Sequence, residues 1–218
     1  MQDSFYETKT SRFSLIDHYW RMHETQAGAY PLYATVKWGF VFSESNGGYS
    51  VKLIGPRTTP TEASYAKDEY FLGIVINADV NIEGYNKKDL LNQVISLAVM
   101  DDRFLLGDEY ILIPDYNTVE EFTETLIKRR LLRASPIAAV SHRDKQRKIK
   151  RFTGLTPKQI QQAERVEYAI SIINSPITLT SVAAQAGFSD QAHMTRDFNR
   201  LVGYSPAEIR RYFSDLHS

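Results

Sequence analysis

Residues Gly187 to Pro206 read GFSDQAHMTRDFNRLVGYSP. Ser189 and Asp190 are residue types that cap a helix, and Gly203 can end one, so the spacing predicts a short helix between them. Met194, Phe198 and Leu201 recur at i, i+4, i+7 and would anchor one side. Gln191, Ala192, Thr195, Arg196 and Asn199 then face outward. These side chains suit the major groove of duplex DNA: arginine pairs with guanine, glutamine and asparagine pair with adenine, and the Ala or Thr methyl meets a thymine methyl.

Immediately upstream, Thr180 to Ala186 (TSVAAQA) is short and amphipathic, and Gly187 supplies a tight turn. Two helices joined this way make a helix-turn-helix. Displacing the C-terminal half by 49 residues pairs Arg147 with Arg196, Arg151 with Arg200, Gly154 with Gly203, Thr156 with Ser205, Pro157 with Pro206 and Ile160 with Ile209. Each copy has a helix, a glycine that ends it, a hydroxyl cap and a proline that starts the next helix. Two copies are too few for a solenoid, so a duplicated binding unit is the better reading.

The formal charge is zero, yet it is unevenly distributed. Residues 1 to 117 hold 10 Lys/Arg and 16 Asp/Glu, a net of −6, and residues 118 to 218 hold 16 and 10, a net of +6. Lys128 to Lys158 contains eleven Lys/Arg and one acid, Asp144, which reads as a phosphate-facing surface or as a solvated basic helix. There is no cysteine, which removes disulfides, thiolate catalysis and cysteine-ligated zinc. The five histidines have no metal-ligand spacing, no cofactor motif appears, and no GxSxG, Walker or dinucleotide motif is present. Neither a signal core nor an apolar run long enough to span a bilayer is present, so a cytoplasmic, non-membrane protein is expected.

The first half reads as β structure. LYATVKWGFVFSE, the turn Asn46-Gly47-Gly48 and YSVKLIG make a hairpin, with IDHYWRM and YFLGIVIN as further strands. Lys87 to Met100 has helical spacing, and Thr118-Val-Glu-Glu121 fits a capping box that opens another helix. Trp20, Trp38, Tyr33, Phe40 and Phe42 either line a ligand pocket or fill a core, the commoner outcome. Arg57, in a Gly-Pro-Arg-Thr-Thr loop, either pairs an anionic effector or is an ordinary surface arginine. Trp20, Trp38 and Arg57 are the candidate effector residues.

The stretch GFSDQAHMTRDFNRLVGYSP resembles the C-terminal signature of the AraC/XylS family of bacterial transcription regulators, and SHRDKQRKIKRFTGLTPKQ resembles the end of that family's first helix-turn-helix. The likeness covers roughly residues 118 to 213. It implies two helix-turn-helix units joined by a long helix, here Pro157 to Ile173, docking on successive faces of the major groove. By the same resemblance Gln191, Ala192, Thr195 and Arg196 form the second recognition surface, and Arg143, Gln146 and Arg147 form the first with Lys150 nearby. The first copy departs from the pattern. Only RASPIAAV separates Leu132 from Ser141, where the family places a supporting helix and turn, and Lys145 stands at a normally apolar position. That copy either reads bases or only grips phosphates through Arg143, Arg147, Lys148 and Arg151. The first half resembles more faintly a small β-rich domain that precedes such modules.

The expected fold is α+β in two domains. Residues 1–115 form a β-rich sensor or assembly domain, cupin-like or a partial barrel, with one or two helices at its end. Residues 116–218 form an all-α double helix-turn-helix domain. The expected function is sequence-specific DNA binding without enzymatic chemistry, controlled through the first domain. The alternative is a small-molecule-binding or enzymatic barrel with the helical half as scaffold. Candidate partners are duplex DNA, a small-molecule effector, RNA polymerase and a second copy of the chain.

Overall fold

A computed structural model describes residues 5–45, 48–134, 144, 147, 150, 151 and 154–215. The strands are β1 (Phe5–Thr10), β2 (Ile16–Glu24), β3 (Gly28–Leu32), β4 (Trp38–Ser45), β5 (Gly48–Ile54), β6 (Thr61–Tyr65), β7 (Glu69–Ile76), β8 (Val80–Ile82), β9 (Val94–Leu97), β10 (Val99–Met100), β11 (Arg103–Leu106), β12 (Glu109–Leu112) and β13 (Leu132–Ala134). Helix α1 (Val119–Lys128) precedes β13. Helices α2 (Pro157–Ile172), α3 (Leu179–Gln185), α4 (Gln191–Leu201) and α5 (Pro206–Asp215) follow it.

Six strands form one open antiparallel sheet in the order β1-β2-β7-β4-β5-β9. Because side chains alternate across a strand, the sheet has two apolar faces. Tyr19, Trp38, Phe40, Phe42, Leu53 and Ile74 point to one face. There they meet Phe104 of β11 and Phe122 of α1, with Phe42 5.5 Å and 5.8 Å from those two rings. Met22, Val41 and Phe71 point to the other face, with Trp20, Tyr30 and Tyr65 packed against them. Gly73 makes that second face possible: a Cβ there would lie 2.1 Å from the Trp20 ring, so only glycine lets the indole rest on the sheet.

Three expectations are corrected here. Lys87 to Met100 holds turns and the strands β9 and β10 rather than a helix. Asn92 has φ +59, the Gly55 amide donates to the Gln93 carbonyl, and Ile95 pairs with Leu53, so the free edge of β5 captures this segment. No helix therefore closes residues 1–115 among those described. The capping box at Thr118 is also absent. Its side chain makes no cap bond, and the Asp115 carboxylate instead accepts from the amides of Asn117 and Thr118. Lastly, α1 and β13 pack with the sheet, through Val119, Phe122, Leu126 and Leu132, and β13 pairs β8. The sheet unit thus runs past the expected division at 115 to about residue 134.

The stretch LYATVKWGFVFSE is not one strand either. Pairing in the sheet begins at Trp38, and residues 33–37 form a strap that enters the helical unit. Ala34 and Tyr33 join the core of α2, α3 and α4, while Val36 packs with Leu155 and Ile160. The Ala34 amide donates to the Leu201 carbonyl at 2.7 Å. Glu167 of α2 accepts from the Thr35 hydroxyl and pairs with Lys37 at 2.7 Å, and Lys37 reaches back to Asp17 of β2 at 3.0 Å. Both backbone groups of Thr35 are paired with Arg57, at 3.0 and 2.8 Å.

Lys87 is 3% exposed, sits 4.5 Å over the Trp38 ring and donates to the Val80 carbonyl and the Asn81 side chain. Burial pulls its ammonium down to about 8. Below pH 8 both folded and unfolded chains carry the proton and the burial cost is felt in full. Between about 8 and 10.5 only the unfolded chain keeps it, so stability attributable to this group rises with pH. Urea unfolding from pH 7 to 10 should show that rise in the wild type and lose it in Lys87→Met. Parallel pH profiles for the two proteins would contradict this assignment.

Candidate nucleic-acid interface

Helix α2 starts where sequence places it. The Thr156 hydroxyl accepts from the Gln159 amide at 3.3 Å and the Gln159 side chain accepts from the Thr156 amide at 2.8 Å, a reciprocal cap with Pro157 inside it. The second copy repeats the device: the Glu208 amide donates to the Ser205 hydroxyl at 3.3 Å and the Glu208 carboxylate accepts from the Ser205 amide at 2.7 Å. Gly154 and Gly203 both have positive φ, +75 and +86, and Ile160 and Ile209 are both buried. The 49-residue repeat is therefore a repeat of structure.

Within the second copy, Thr178 caps α3 by accepting from the Ser181 amide, and Gly187 turns the chain at φ +75. Asp190 then caps α4, accepting from the His193 amide at 2.6 Å; that bond holds its carboxyl below the usual range. Met194, Phe198 and Leu201 are buried against α2 and α3. Gln191, Ala192, Arg196 and Asn199 are exposed and Thr195 is half-buried at the edge of the same face. The Gln191 carbonyl oxygen of the side chain accepts from Thr180 at 3.0 Å, and the Thr195 hydroxyl donates to the Gln191 backbone at 2.9 Å. Both polar side chains are thus held in place while Arg196 and Asn199 stay free to reach outward.

Of the first copy, Arg147, Lys150 and Arg151 are helical and exposed, and Arg147 pairs with Asp144. Arg143, Gln146, Lys145 and Lys148 lie outside the described residues. The candidate effector residues do not converge. Trp38 is buried on the α1 side of the sheet and Trp20 packs on the opposite side, so the two cannot line one pocket. Trp38, Phe40 and Phe42 fill a core. Arg57 is no surface arginine: it is 5% exposed.

Two residues that sequence reasoning passed over hold α4 in place. Asp197 is buried on its inner side, 2.7 Å from Arg200, 3.8 Å from Arg165 of α2 and 3.7 Å from His193. Arg165 also donates to the Gly187 carbonyl at 3.3 Å and lies over the Phe188 ring, tying the turn to α2. Arg210 of α5 donates to the carbonyls of Ile173, at the end of α2, and Ile177, in the turn before α3, at 2.7 and 3.0 Å. The one available signal was a lone acid, Asp197, set among Arg196, Arg200 and His193.

Residues 134–212 match the family model described as a helix-turn-helix domain. This C-terminal domain is similar to that of the AraC/XylS type. The HTH-type transcriptional activator RhaS of Escherichia fergusonii is 36% identical over 74 residues, 34% of this chain and 27% of that protein. RhaS of Escherichia coli strain K12 is 34% identical over the same length. The chain thus spans about a quarter of the length of the curated relatives it matches. Structures of ToxT from Vibrio cholerae align over 98% of this chain and 100% of theirs at 11% identity and a TM-score of 0.46, and over 97% and 98% at 9% identity and 0.49. Within this helix-turn-helix domain, α3 and α4 are the two helices of one helix-turn-helix. Among the described residues no three His, Asp or Glu are grouped to hold a metal, and no helix is long and apolar enough to cross a membrane.

Asp197→Ala should destabilise the chain by about 1–3 kcal/mol, less than a fully buried pair because its arginine partners are partly solvated. Urea unfolding measures it, with Arg200→Ala expected to cost under about 1 kcal/mol. A loss below about 0.5 kcal/mol for Asp197→Ala would remove its anchoring role.

Proposed function

We propose that the chain is a sequence-specific DNA-binding transcription regulator whose sheet unit controls its helical unit. The observation that carries this reading is the two-sided character of α4. One side is fixed to α2 and α3 by Met194, Phe198, Leu201 and Asp197, and the other presents Gln191, Ala192, Arg196 and Asn199 to solvent with Thr195 beside them. A rigid helix with an unobstructed polar face of these types can enter a major groove without first rearranging. Arg147, Lys150 and Arg151 add cations that suit a neighbouring stretch of phosphates.

Residues 1–134 act as the sensor or assembly unit and 135–218 as the DNA-binding unit. Control passes through the strap at 33–37, which contacts both α2 and the C-terminal end of α4. The cytoplasm is the compartment such a function requires, and RNA polymerase and a second copy of the chain are the further partners that the family resemblance carries. No covalent chemistry is assigned to either unit.

Fluorescence anisotropy on duplexes selected from a random library tests this at fixed salt. Arg196→Ala should cost about 1–3 kcal/mol and relax selection at one base position. Arg151→Ala should weaken all duplexes alike and flatten the salt dependence by about one phosphate contact. Salt-sensitive binding with no sequence preference in the wild type would contradict base reading by α4.

A further inference from the structure

Thr180 is the second residue of α3 and Gln191 the first of α4, and the Thr180 hydroxyl donates to Gln191 Oε1 at 3.0 Å. The direction of that bond follows from where Thr180 sits. Thr123, Thr125 and Thr195, inside their helices, each spend the hydroxyl proton on the carbonyl four residues back. Thr180 has no such carbonyl within α3, because the helix begins at Leu179. Its proton is available, and Gln191 Oε1 accepts it.

Both ends of the bond are held. Thr178 caps α3, Asp190 caps α4 one residue before Gln191, and Val182, Ala183, Met194 and Phe198 share one core. The branched β-carbon of Thr180 restricts its own rotation. The bond therefore fixes which way round the Gln191 carboxamide sits. In water a bond so exposed is weak, but a groove that expels water strengthens it.

That orientation decides what Gln191 offers a base. An unconstrained glutamine pairs with adenine through both ends of its amide, donating to N7 and accepting from the N6 amino group. With Oε1 turned to Thr180, the group left to lead is Nε2, which only donates. Guanine and thymine present only acceptors in the major groove, O6 and N7 in one and O4 in the other, whereas adenine and cytosine each present an amino group. A carbonyl oxygen can accept twice, yet pairing with adenine needs Oε1 and Nε2 to face the base together, which draws Oε1 off the hydroxyl.

We propose that Thr180 is a positioning residue for base reading: by holding Gln191 Oε1 it commits Gln191 to a base that presents only acceptors, guanine or thymine. The adenine expected from the residue type alone is thereby disfavoured. The proposal rests on the DNA-binding reading above and adds to it a specificity determinant outside α4.

Fluorescence anisotropy of the full chain at fixed salt, on the selected duplex and its single-base-pair variants, tests this with wild type, Gln191→Ala, Thr180→Val, Thr180→Ala and Thr180→Ser. Gln191→Ala marks the position that Gln191 reads, as the one whose selection it relaxes. There the wild type should bind guanine or thymine about fivefold or more tighter than adenine or cytosine. Thr180→Val, which keeps the shape and removes the proton, should bring adenine to within about twofold of the preferred base and leave selection at other positions unchanged. Thr180→Ala should do the same, and Thr180→Ser should restore the wild-type order. A wild-type preference for adenine or cytosine, an unchanged order in Thr180→Val and Thr180→Ala, or no position relaxed by Gln191→Ala overturns the proposal while base reading by Arg196 stands. A wild type without sequence preference overturns base reading by α4 altogether, and this proposal with it.

Discussion

The carboxylate of Glu167 is the joint on which the two halves of this molecule depend. It sits at 10% side-chain exposure and is shared between the Thr35 hydroxyl and Lys37, while Lys37 extends to Asp17. A carboxylate this far from water needs more than one partner to offset its desolvation, and the strap supplies two. Around that polar joint, Ala34, Tyr33 and Val36 fill apolar space belonging to the helical unit. The strap therefore fixes α2 against the sheet, and α2 in turn fixes α4 through Arg165 and Asp197.

That chain of contacts links the sheet unit to the helix that carries the exposed polar face. The Ala34 amide ends on the Leu201 carbonyl, at the last turn of α4, so the strap touches α4 as well as its support. The Arg57 loop is bonded to the middle of the strap. A change at the loop has a path of three residues to the helical unit, each step a hydrogen bond or an ion pair. The Tyr204 hydroxyl donating to Glu62 from the turn before α5, and Phe213 of α5 packing 5.6 Å from Tyr6, add a second seam to the sheet unit.

Much of the helical half was legible because its punctuation is local. A glycine at positive φ, a hydroxyl cap, a glutamine or glutamate three residues on, and a proline between them act within one turn of helix, so the 49-residue repeat could be seen in sequence and reappears as paired caps. The α4 face was legible for the same reason. Asp197 was not, because its partner Arg165 lies 32 positions away on another helix.

The sheet half was harder, and the reasons are physical. Lys87 to Met100 carries apolar residues at helical spacing, but a free edge of β5 offered Val94, Ile95 and Leu97 backbone partners that spacing alone cannot reveal. Whether two tryptophans share a face depends on strand parity, and the register irregularity between Ile16 and His18 in β2 breaks any count made from sequence. Residues 33–37 continue the β-like composition of β4 yet leave the sheet, because the helical unit offers their side chains a core. A double-mutant cycle on Lys37→Met and Glu167→Gln, read by urea unfolding and by affinity for a selected duplex, tests the joint most directly. A coupling of about 0.5–3 kcal/mol in stability, with duplex affinity shifted in both single variants, is the predicted result; additive stabilities with unchanged affinity would mean the strap does not join the sheet to the DNA-binding face.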